Sequence, residues 1–312
     1  MGKTSAASRQ ATQRRRNQAR KKRKPPSFYQ RYRSWILIAS VAVAVVLIAV
    51  MRSGDEKATS PMSKAFTGGD FHSMVFDPEN PRRIFVGGHE AVSVSIDGGK
   101  SFRPVASLKS RDAMGWGFDG STVYMSGHPG LMISTDGGKI FSEHNQGLPA
   151  TDLHSFGAGR SVLYAGSPAG FLSSSDGAKT WRVVNRNEGR SFFGRILVDA
   201  TDTKHLVAAD AASGVAESKD GGGTWTELGG PRSPTWVSWD LKNPLLIVAS
   251  GQSGASISTD GGKTWRDLEI PSGATIVDID PSDSQVLVAG THDGANVTMK
   301  VSRDRGRSWA SP

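Results

Sequence analysis

The sequence predicts an all-β fold, built from a repeated unit of four short strands and preceded by one N-terminal transmembrane helix. Three observations support this prediction: an Asp-containing turn recurs about every 40 residues, alternating apolar segments fill the intervals, and a 17-residue apolar run precedes the repeats. A fixed period near 40 residues with turn chemistry is typical of repeat folds. The body of the chain should therefore be interpreted from its repeat.

The charge of the chain is concentrated at one end. Residues 1–34 contain 12 of the 38 Lys and Arg residues and no acid, which leaves 26 basic against 29 acidic residues in the remainder. The body is close to neutral, so we expect no nucleic acid as its partner. The chain has no cysteine, and this excludes disulfides, thiolate metal sites and a cysteine nucleophile.

The apolar run "WILIASVAVAVVLIAVM", residues 35–51, predicts the transmembrane helix. Its only clearly polar side chain is Ser40, and its length is at the short end of what crosses a bilayer core. A cleaved signal peptide is the alternative. The long preceding segment and the lack of a small-x-small cleavage site after the run favour an uncleaved anchor.

The charges that flank the apolar run predict its orientation. Residues 14–33 are densely basic, whereas the other flank begins Arg52-Ser-Gly-Asp55-Glu56. The positive-inside rule then makes residues 1–34 a basic cytoplasmic tail, which also suits anionic lipid headgroups. Residues 52–69 are expected to be a flexible tether and residues 70–312 an extracytoplasmic domain of a single-pass cell-membrane protein.

The repeated turn has the pattern Ser-x-Asp-x-Gly-x-Thr-Trp, with six copies spaced 39, 40, 44, 40 and 44 residues apart. Its carboxylate can accept hydrogen bonds from backbone N–H groups two or more residues ahead, and glycine supplies a positive φ. One carboxylate per turn offers too few oxygens for calcium. We therefore assign a structural role to the six aspartates: Asp97, Asp136, Asp176, Asp220, Asp260 and Asp304.

This pattern resembles the BNR or Asp-box repeat, and the resemblance covers residues 70–312. It implies that each box is the hairpin between the third and fourth strands of a propeller blade. The expected domain is a six-bladed β-propeller of four-stranded blades. Because each period begins with an inner strand and ends with an outer one, we expect end-to-end closure with no strand exchanged between the first and last blades.

Histidine and aspartate recur on the propeller face opposite the Asp-box turns. They lie where inner strands begin and where second strands end, so a closed ring gathers five of the seven histidines on this face. Imidazole with carboxylate suits zinc or another transition metal, and the histidines His72, His89, His128, His154 and His292 are the candidate metal ligands. The same groups also suit a sugar, a phosphate or a peptide, and repetition among related blades would explain the pattern without any ligand. The candidate ligand-binding residues are Asp70, His72, His89, Asp112, His128, Asp152, His154 and His292.

The opening "DFHSMVFDPENP" and the segment "GHPG" resemble small bacterial membrane-anchored Asp-box proteins labelled glycosyl hydrolase. The resemblance to sialidases and to the photosystem II stability factor is more distant. The sialidase pattern is incomplete, because "RRIF" replaces its Arg-Ile-Pro motif, and Tyr124 and Tyr164 lack an evident Glu partner. No catalytic residue can be assigned. The expected function is a binding or assembly-scaffold module for an extracytoplasmic protein or carbohydrate. The alternatives are a sialidase-like glycoside hydrolase and a metal-dependent hydrolase that uses the same face.

Overall fold

The computed structural model describes residues 60–186 and 189–312, and these residues confirm the all-β prediction. Their one helical element is a 3₁₀ turn at Ala106–Leu108. The predicted cytoplasmic tail, the transmembrane helix and the first part of the tether lie outside the described residues. In the part that is described, no helix has the length and apolar character needed to cross a membrane.

The strands, numbered in chain order, form antiparallel units of four. The first unit consists of β2 (Phe71–Asp77), β3 (Asn80–Gly88), β4 (Val92–Ser95) and β5 (Arg103–Pro104). The second consists of β6 (Asp112–Asp119), β7 (Thr122–His128), β8 (Gly130–Ser134) and β9 (Ser142–Glu143). The third consists of β10 (Ser155–Gly159), β11 (Val162–Ser167), β12 (Gly170–Ser174) and β13 (Arg182–Asn185).

The next units follow the same order. The fourth consists of β14 (Phe192–Val198), β15 (Leu206–Asp210), β16 (Gly214–Ser218) and β17 (Thr226–Gly229). The fifth consists of β18 (Trp236–Asp240), β19 (Asn243–Gly251), β20 (Gly254–Ser258) and β21 (Arg266–Leu268). The last consists of β22 (Ala274–Ile279), β23 (Leu287–Asp293) and β24 (Asn296–Ser302), and its fourth strand is β1 (Ala65–Phe66). A short parallel pairing of β10 with β14 joins the third and fourth units into one sheet.

The first strands of the units form a closed cycle of contacts. Each of β2, β6, β10, β14 and β18 contacts the first strand of the next unit, and β22 contacts β2. Antiparallel sheets with one short edge each are stable in such an arrangement because neighbouring sheet faces bury one another. The starts of these first strands consequently lie near one another at one end of the cycle.

The closure of the cycle differs from the sequence-based prediction. The strand β1 pairs antiparallel with β24, with Ala65 opposite Val297 and Phe66 opposite Asn296. The prediction that no strand is exchanged between the ends of the chain is therefore wrong. A residue pair so short carries no periodic signal, and it lies in the segment expected to be a tether.

The core lies between adjacent units rather than at one central point. In the first joint, Phe85 stacks on Trp116 with ring centroids 4.9 Å apart, and both side chains are fully buried. Two aromatic residues that end Asp turns cover the joint to the preceding unit: Phe141 packs edge-on against Phe85, and Trp225 packs against Phe171. Each aromatic thus stabilises two units at once.

The Asp turns share one hydrogen-bond arrangement, which the fifth unit illustrates. Asp260 Oδ1 accepts from Ser258 Oγ at 2.8 Å and from Thr264 N at 2.9 Å, and Oδ2 accepts from Thr264 Oγ1 at 2.6 Å. Gly262 N donates to Ser258 Oγ at 2.8 Å. The carboxylate therefore holds the two ends of the hairpin loop together.

Two turns replace a glycine and keep the same backbone. Ala178 has φ = +68° and Arg305 has φ = +59°, which is the left-handed region that favours glycine. The rest of each turn holds these residues in place, since Asp176 and Asp304 keep their hydrogen bonds.

A buried ion pair crosses the centre of the cycle. Arg195 Nη1 on β14 lies 3.9 Å from Asp278 Oδ1 on β22, and Asp278 is fully buried. Phe76 N of the first unit donates to Asp278 Oδ2 at 2.9 Å. Burial raises the pKa of the Asp278 carboxyl, and the guanidinium of Arg195 opposes that shift. This pair ties the first, fourth and last units together.

Candidate functional site

Irregular pairing at the start of the first strands turns side chains into a common cavity. The register shifts between Phe71 and Ser73 on β2, and equivalent shifts occur at the same level of β6 and β22. A β-bulge leaves one residue unpaired and redirects its side chain. The unpaired residues His72, Met114 and Thr275 all line this cavity.

The cavity measures about 450 Å³ and lies at the end of the cycle where the first strands begin. Asp70 and His292 supply further polar atoms, and Phe193 supplies an aromatic face. A pocket with a few convergent polar groups and apolar walls is the usual form of a small-ligand site. The remaining lining residues are Phe71, Gly194, Thr235, Gln252, Gly273 and Ile276.

A cluster of histidines surrounds Asp112, which begins β6 next to the cavity. Asp112 is only 6% exposed. Its Oδ2 lies 2.9 Å from His128 Nδ1, in a hydrogen bond, and 3.6 Å from His89 Nδ1. Its Oδ1 lies 3.5 Å from His72 Nε2. One buried carboxylate thus faces imidazoles from two units.

Gly127 is needed for this arrangement. Asp112 pairs with His128 across β6 and β7, and Gly127 is the residue before that pair. A Cβ at Gly127 would lie 1.8 Å from the carbonyl oxygen of Asp112. Only glycine allows the two strands to come close enough to place the carboxylate against the imidazole.

A second cluster continues from His128 to the third unit. Asp152 Oδ1 lies 2.6 Å from His128 Nε2 and 2.7 Å from His154 Nε2. The ring of His154 stacks on Phe193 at a centroid distance of 5.2 Å, which fixes its plane. Because His128 contacts both Asp112 and Asp152, the two clusters form one continuous series of imidazoles and carboxylates.

Three atoms of this series have no hydrogen-bond partner among the described residues: His72 Nε2, Asp112 Oδ1 and Asp152 Oδ1. Asp152 Oδ1 is in this group although it lies 2.6 Å from His128 Nε2 and 2.7 Å from His154 Nε2. Buried polar atoms are almost always satisfied in proteins, so such atoms need an explanation. Each triad, His72–His89–Asp112 and His128–Asp152–His154, has one ligand atom per residue within 4.8 Å of the others.

The two histidines with shifted pKa values move in opposite directions. Burial lowers the pKa of His72, although Asp112 and Asp70 oppose the shift. The hydrogen bond to Asp112 raises the pKa of His128, with a further contribution from Asp152. Near neutral pH, His72 is therefore the neutral imidazole, which is the form that can ligate a metal or accept a hydrogen bond.

The structure brings most of the sequence-predicted residues together. The two clusters contain His72, His89, Asp112, His128, Asp152 and His154. The other two candidates lie apart from the clusters. Asp70 lines the cavity, and His292 Nε2 is held by the carbonyl of Gly69 at 2.8 Å.

The sequence-based site missed several lining residues, among them Phe193, Thr235, Gln252 and Thr275. A signal for Thr235 and Thr275 exists in the repeat itself, because they occupy in their units the place that His72 occupies in the first. Neutral side chains at those positions carry no chemical signature, so only the repeat register identifies them.

Comparison with known proteins supports the repeat and the fold. The BNR/Asp-box repeat model matches residues 256–267. The sequence has no match among curated proteins.

Several solved structures resemble the fold. A GH74 xyloglucanase from Xanthomonas campestris superposes with a TM-score of 0.56 at 17% identity, over 80% of this chain and 46% of that one. A GH74 enzyme from Niastella koreensis gives 0.55 at 16% identity, again over 80% and 46%. A gluconolactonase from Xanthomonas campestris gives 0.55 at 10% identity, over 76% of this chain and 87% of that one.

The chain spans about half the length of the two GH74 proteins. At these identities the likeness concerns the fold alone. Taken together, the recurrent Asp turns, the repeat match and the structural neighbours show that the chain carries BNR/Asp-box repeats on a β-propeller fold.

Proposed function

We propose that the protein is a membrane-anchored, six-bladed propeller that binds a saccharide outside the cytoplasm and holds part of it in the cavity at its His/Asp-rich end. The observation that carries this proposal is the 450 Å³ cavity, where bulges from several units direct side chains toward one space. The cycle of first-strand contacts supports the six-bladed count.

The lining suits a neutral, hydroxyl-rich ligand. Gln252, Thr235 and Thr275 offer both donors and acceptors, and Asp70 adds a strong acceptor. Phe193 and Met114 provide the apolar contact that the C–H face of a sugar ring requires. Ligand sites of this size commonly combine a few such polar groups with apolar walls.

Binding is favoured over glycoside hydrolysis by the carboxylates. Glycosidases place two carboxyl groups about 5–9.5 Å apart across the scissile bond. Among the described residues that line the cavity, Asp70 is the one acid. The carboxylate of the neighbouring Asp112 already contacts His128 and His72, so no pair of carboxyl groups among the described residues faces the cavity.

The proposal can be tested with probes chosen from the structural neighbours, a xyloglucan heptasaccharide and glucono-1,5-lactone. The full chain in mild detergent is titrated with each probe by calorimetry, and the mixtures are then analysed for product. We expect binding of the heptasaccharide without turnover. Gln252→Ala should weaken it tenfold or more, whereas Gln285→Ala, an exposed glutamine outside the cavity, should not.

Two results would overturn this function. One is the absence of heptasaccharide binding to a folded chain. The other is product formation that Gln252→Ala abolishes, since that result would make the cavity an active site for the hydrolase alternative.

The proposed topology places residues 1–34 in the cytoplasm, a helix at residues 35–51 and the propeller outside. The basic tail and the apolar run of the sequence support it. Protease added to intact cells should digest epitopes in residues 70–312 and spare an epitope at the N-terminus. Protection of both epitopes would contradict the topology.

A further inference from the structure

We propose that the two histidine–carboxylate triads bind two divalent transition-metal ions of the zinc type. Metal site A consists of His72, His89 and Asp112, and metal site B of His128, Asp152 and His154. This inference extends the proposed function, because it adds a metal to the same binding face and rests on that face being a ligand site.

The donor set selects this class of metal. Each site offers two imidazole nitrogens and one carboxylate oxygen. Imidazole suits zinc, copper, iron and nickel, whereas magnesium and calcium prefer a shell of oxygens. Three protein ligands also leave a coordination position open for water or a ligand.

The spacing of the ligand atoms agrees with a metal in site A. Ligands about 2.0–2.2 Å from a tetrahedral zinc ion lie roughly 3.3–3.5 Å from one another. His72 Nε2 is 3.5 Å from Asp112 Oδ1, and His89 Nδ1 is 3.6 Å from Asp112 Oδ2. Each imidazole nitrogen of site A thus lies at a ligand-to-ligand distance from an oxygen of the Asp112 carboxylate.

Site B is more compact. Asp152 Oδ1 lies 2.6 Å from His128 Nε2 and 2.7 Å from His154 Nε2, so a metal would have to spread these atoms by about 0.7 Å. All three side chains are more than 30% exposed and have room to shift.

The unpartnered atoms point to the same ligand. Asp112 is more than nine-tenths buried, yet its Oδ1 has no hydrogen-bond partner. His72 Nε2, which faces this oxygen, has no hydrogen-bond partner either. Asp152 Oδ1 has two ring nitrogens in contact but no hydrogen bond from either. A cation in site A would satisfy His72 Nε2 and Asp112 Oδ1, and a second cation in site B would satisfy Asp152 Oδ1.

His128 links the two sites. Its Nδ1–H donates to Asp112 Oδ2 while its Nε2 faces site B. Ligating histidines usually donate their second ring N–H to a carboxylate, which fixes the tautomer and strengthens the ligand. Asp112 thus serves site A directly and positions a ligand of site B.

The arrangement also differs from a histidine that is merely paired with acids. His205 lies between Asp199 Oδ2 at 3.0 Å and Glu217 Oε1 at 2.9 Å, and both contacts are hydrogen bonds. That histidine is fully satisfied and needs no metal. It serves as the control for substitution of a histidine between carboxylates.

The test measures zinc stoichiometry. The full chain in detergent is stripped with chelator, incubated with zinc, passed through a desalting column and analysed for metal and protein. We expect about two zinc ions per chain, about one in His89→Ala and in His154→Ala, and none in the double variant. His205→Ala should retain two, and magnesium should not replace zinc.

Asp112 provides a sharper criterion. Because it serves both sites, Asp112→Asn should lose the ion of site A and weaken zinc binding at site B at least tenfold, whereas Asp152→Asn should affect site B alone. Cobalt loaded in place of zinc should give visible absorption that falls by about half in His89→Ala.

Zinc content that stays below about 0.1 per folded chain would overturn the inference, as would content unaffected by His89→Ala and His154→Ala. His89 lies at the surface, so its variant is expected to fold. Heptasaccharide binding measured with and without zinc separates the two proposals: sugar binding without zinc binding removes the metal inference alone, and zinc binding without sugar binding removes the saccharide function alone.

Discussion

Ser73 and Ser155 allow one substitution to be compared at two equivalent positions. They follow His72 and His154 on the first strands of two units, and both side chains are fully buried. Ser73 Oγ donates to Ala113 O at 2.6 Å and accepts from the indole of the buried Trp116 at 2.8 Å. Ser155 Oγ has no hydrogen-bond partner among the described residues.

The two alanine variants should therefore differ in stability. In Ser73→Ala, a buried indole N–H and a buried carbonyl lose a partner, and each such loss costs about 1–3 kcal/mol. The free energy of unfolding should fall by about 2–6 kcal/mol. Ser155→Ala removes a hydroxyl that was buried without compensation, so its stability should be unchanged or slightly higher.

Equilibrium urea unfolding followed by tryptophan fluorescence measures the difference, with the m-value as a check that the unfolded states are comparable. An equal loss in both variants would refute the argument, because it would mean that packing of the hydroxyl, rather than its hydrogen bonds, determines the cost. A larger loss in Ser155→Ala would refute it more directly.

Three further predictions concern the scaffold. Hydrogen bonds from the side chain and backbone of Thr264 lower the pKa of Asp260 from 3.8 to about 2. The stabilising effect of the Asp260 carboxylate is therefore complete above pH 4 and is lost as the pH falls toward 2. Asp260→Asn should flatten the dependence of the melting temperature on pH in that range, and an unchanged profile would contradict this. Arg195→Met leaves the Asp278 carboxylate without its charged partner, so the free energy of unfolding measured in urea should fall by about 3–5 kcal/mol. The double variant with Asp278→Asn should recover part of this loss. No recovery would indicate that the charge pair is not the cause. A chain that starts at Thr67 should melt several degrees below one that starts at Thr59, because it lacks β1; equal melting temperatures would show that β1 does not contribute to closure.

The repeat made much of the fold predictable from sequence. The spacing of the six aspartates marks one hairpin per unit, and the strands between them follow from alternation and turn residues. The same register places His72, Asp112 and His154 at the starts of first strands, and the structure has them there. The place of a residue within its repeat is set by residues close to it in sequence, and sequence patterns describe such short-range relations.

The details that decide the chemistry are not local. The burial of Asp112 depends on the close approach of two strands at Gly127, and the bond from His292 to Gly69 joins residues 223 positions apart. The strand β1 consists of two residues, too few for any periodic pattern. Each of these features depends on contacts between residues that are far apart in sequence, and these contacts are determined by how the strands and units pack.

The pairing of β1 with β24 also has a consequence for synthesis on the ribosome. Thr67, the residue after β1, donates its hydroxyl to Ala295, which is translated 228 residues later. The strand β1 must wait for β24, so this seam cannot form until β24 has been synthesised. Until the seam forms, β24 is an open edge that a neighbouring nascent chain can occupy with its own β1, and polysomes crowded with this protein are where strand-swapped dimers would arise.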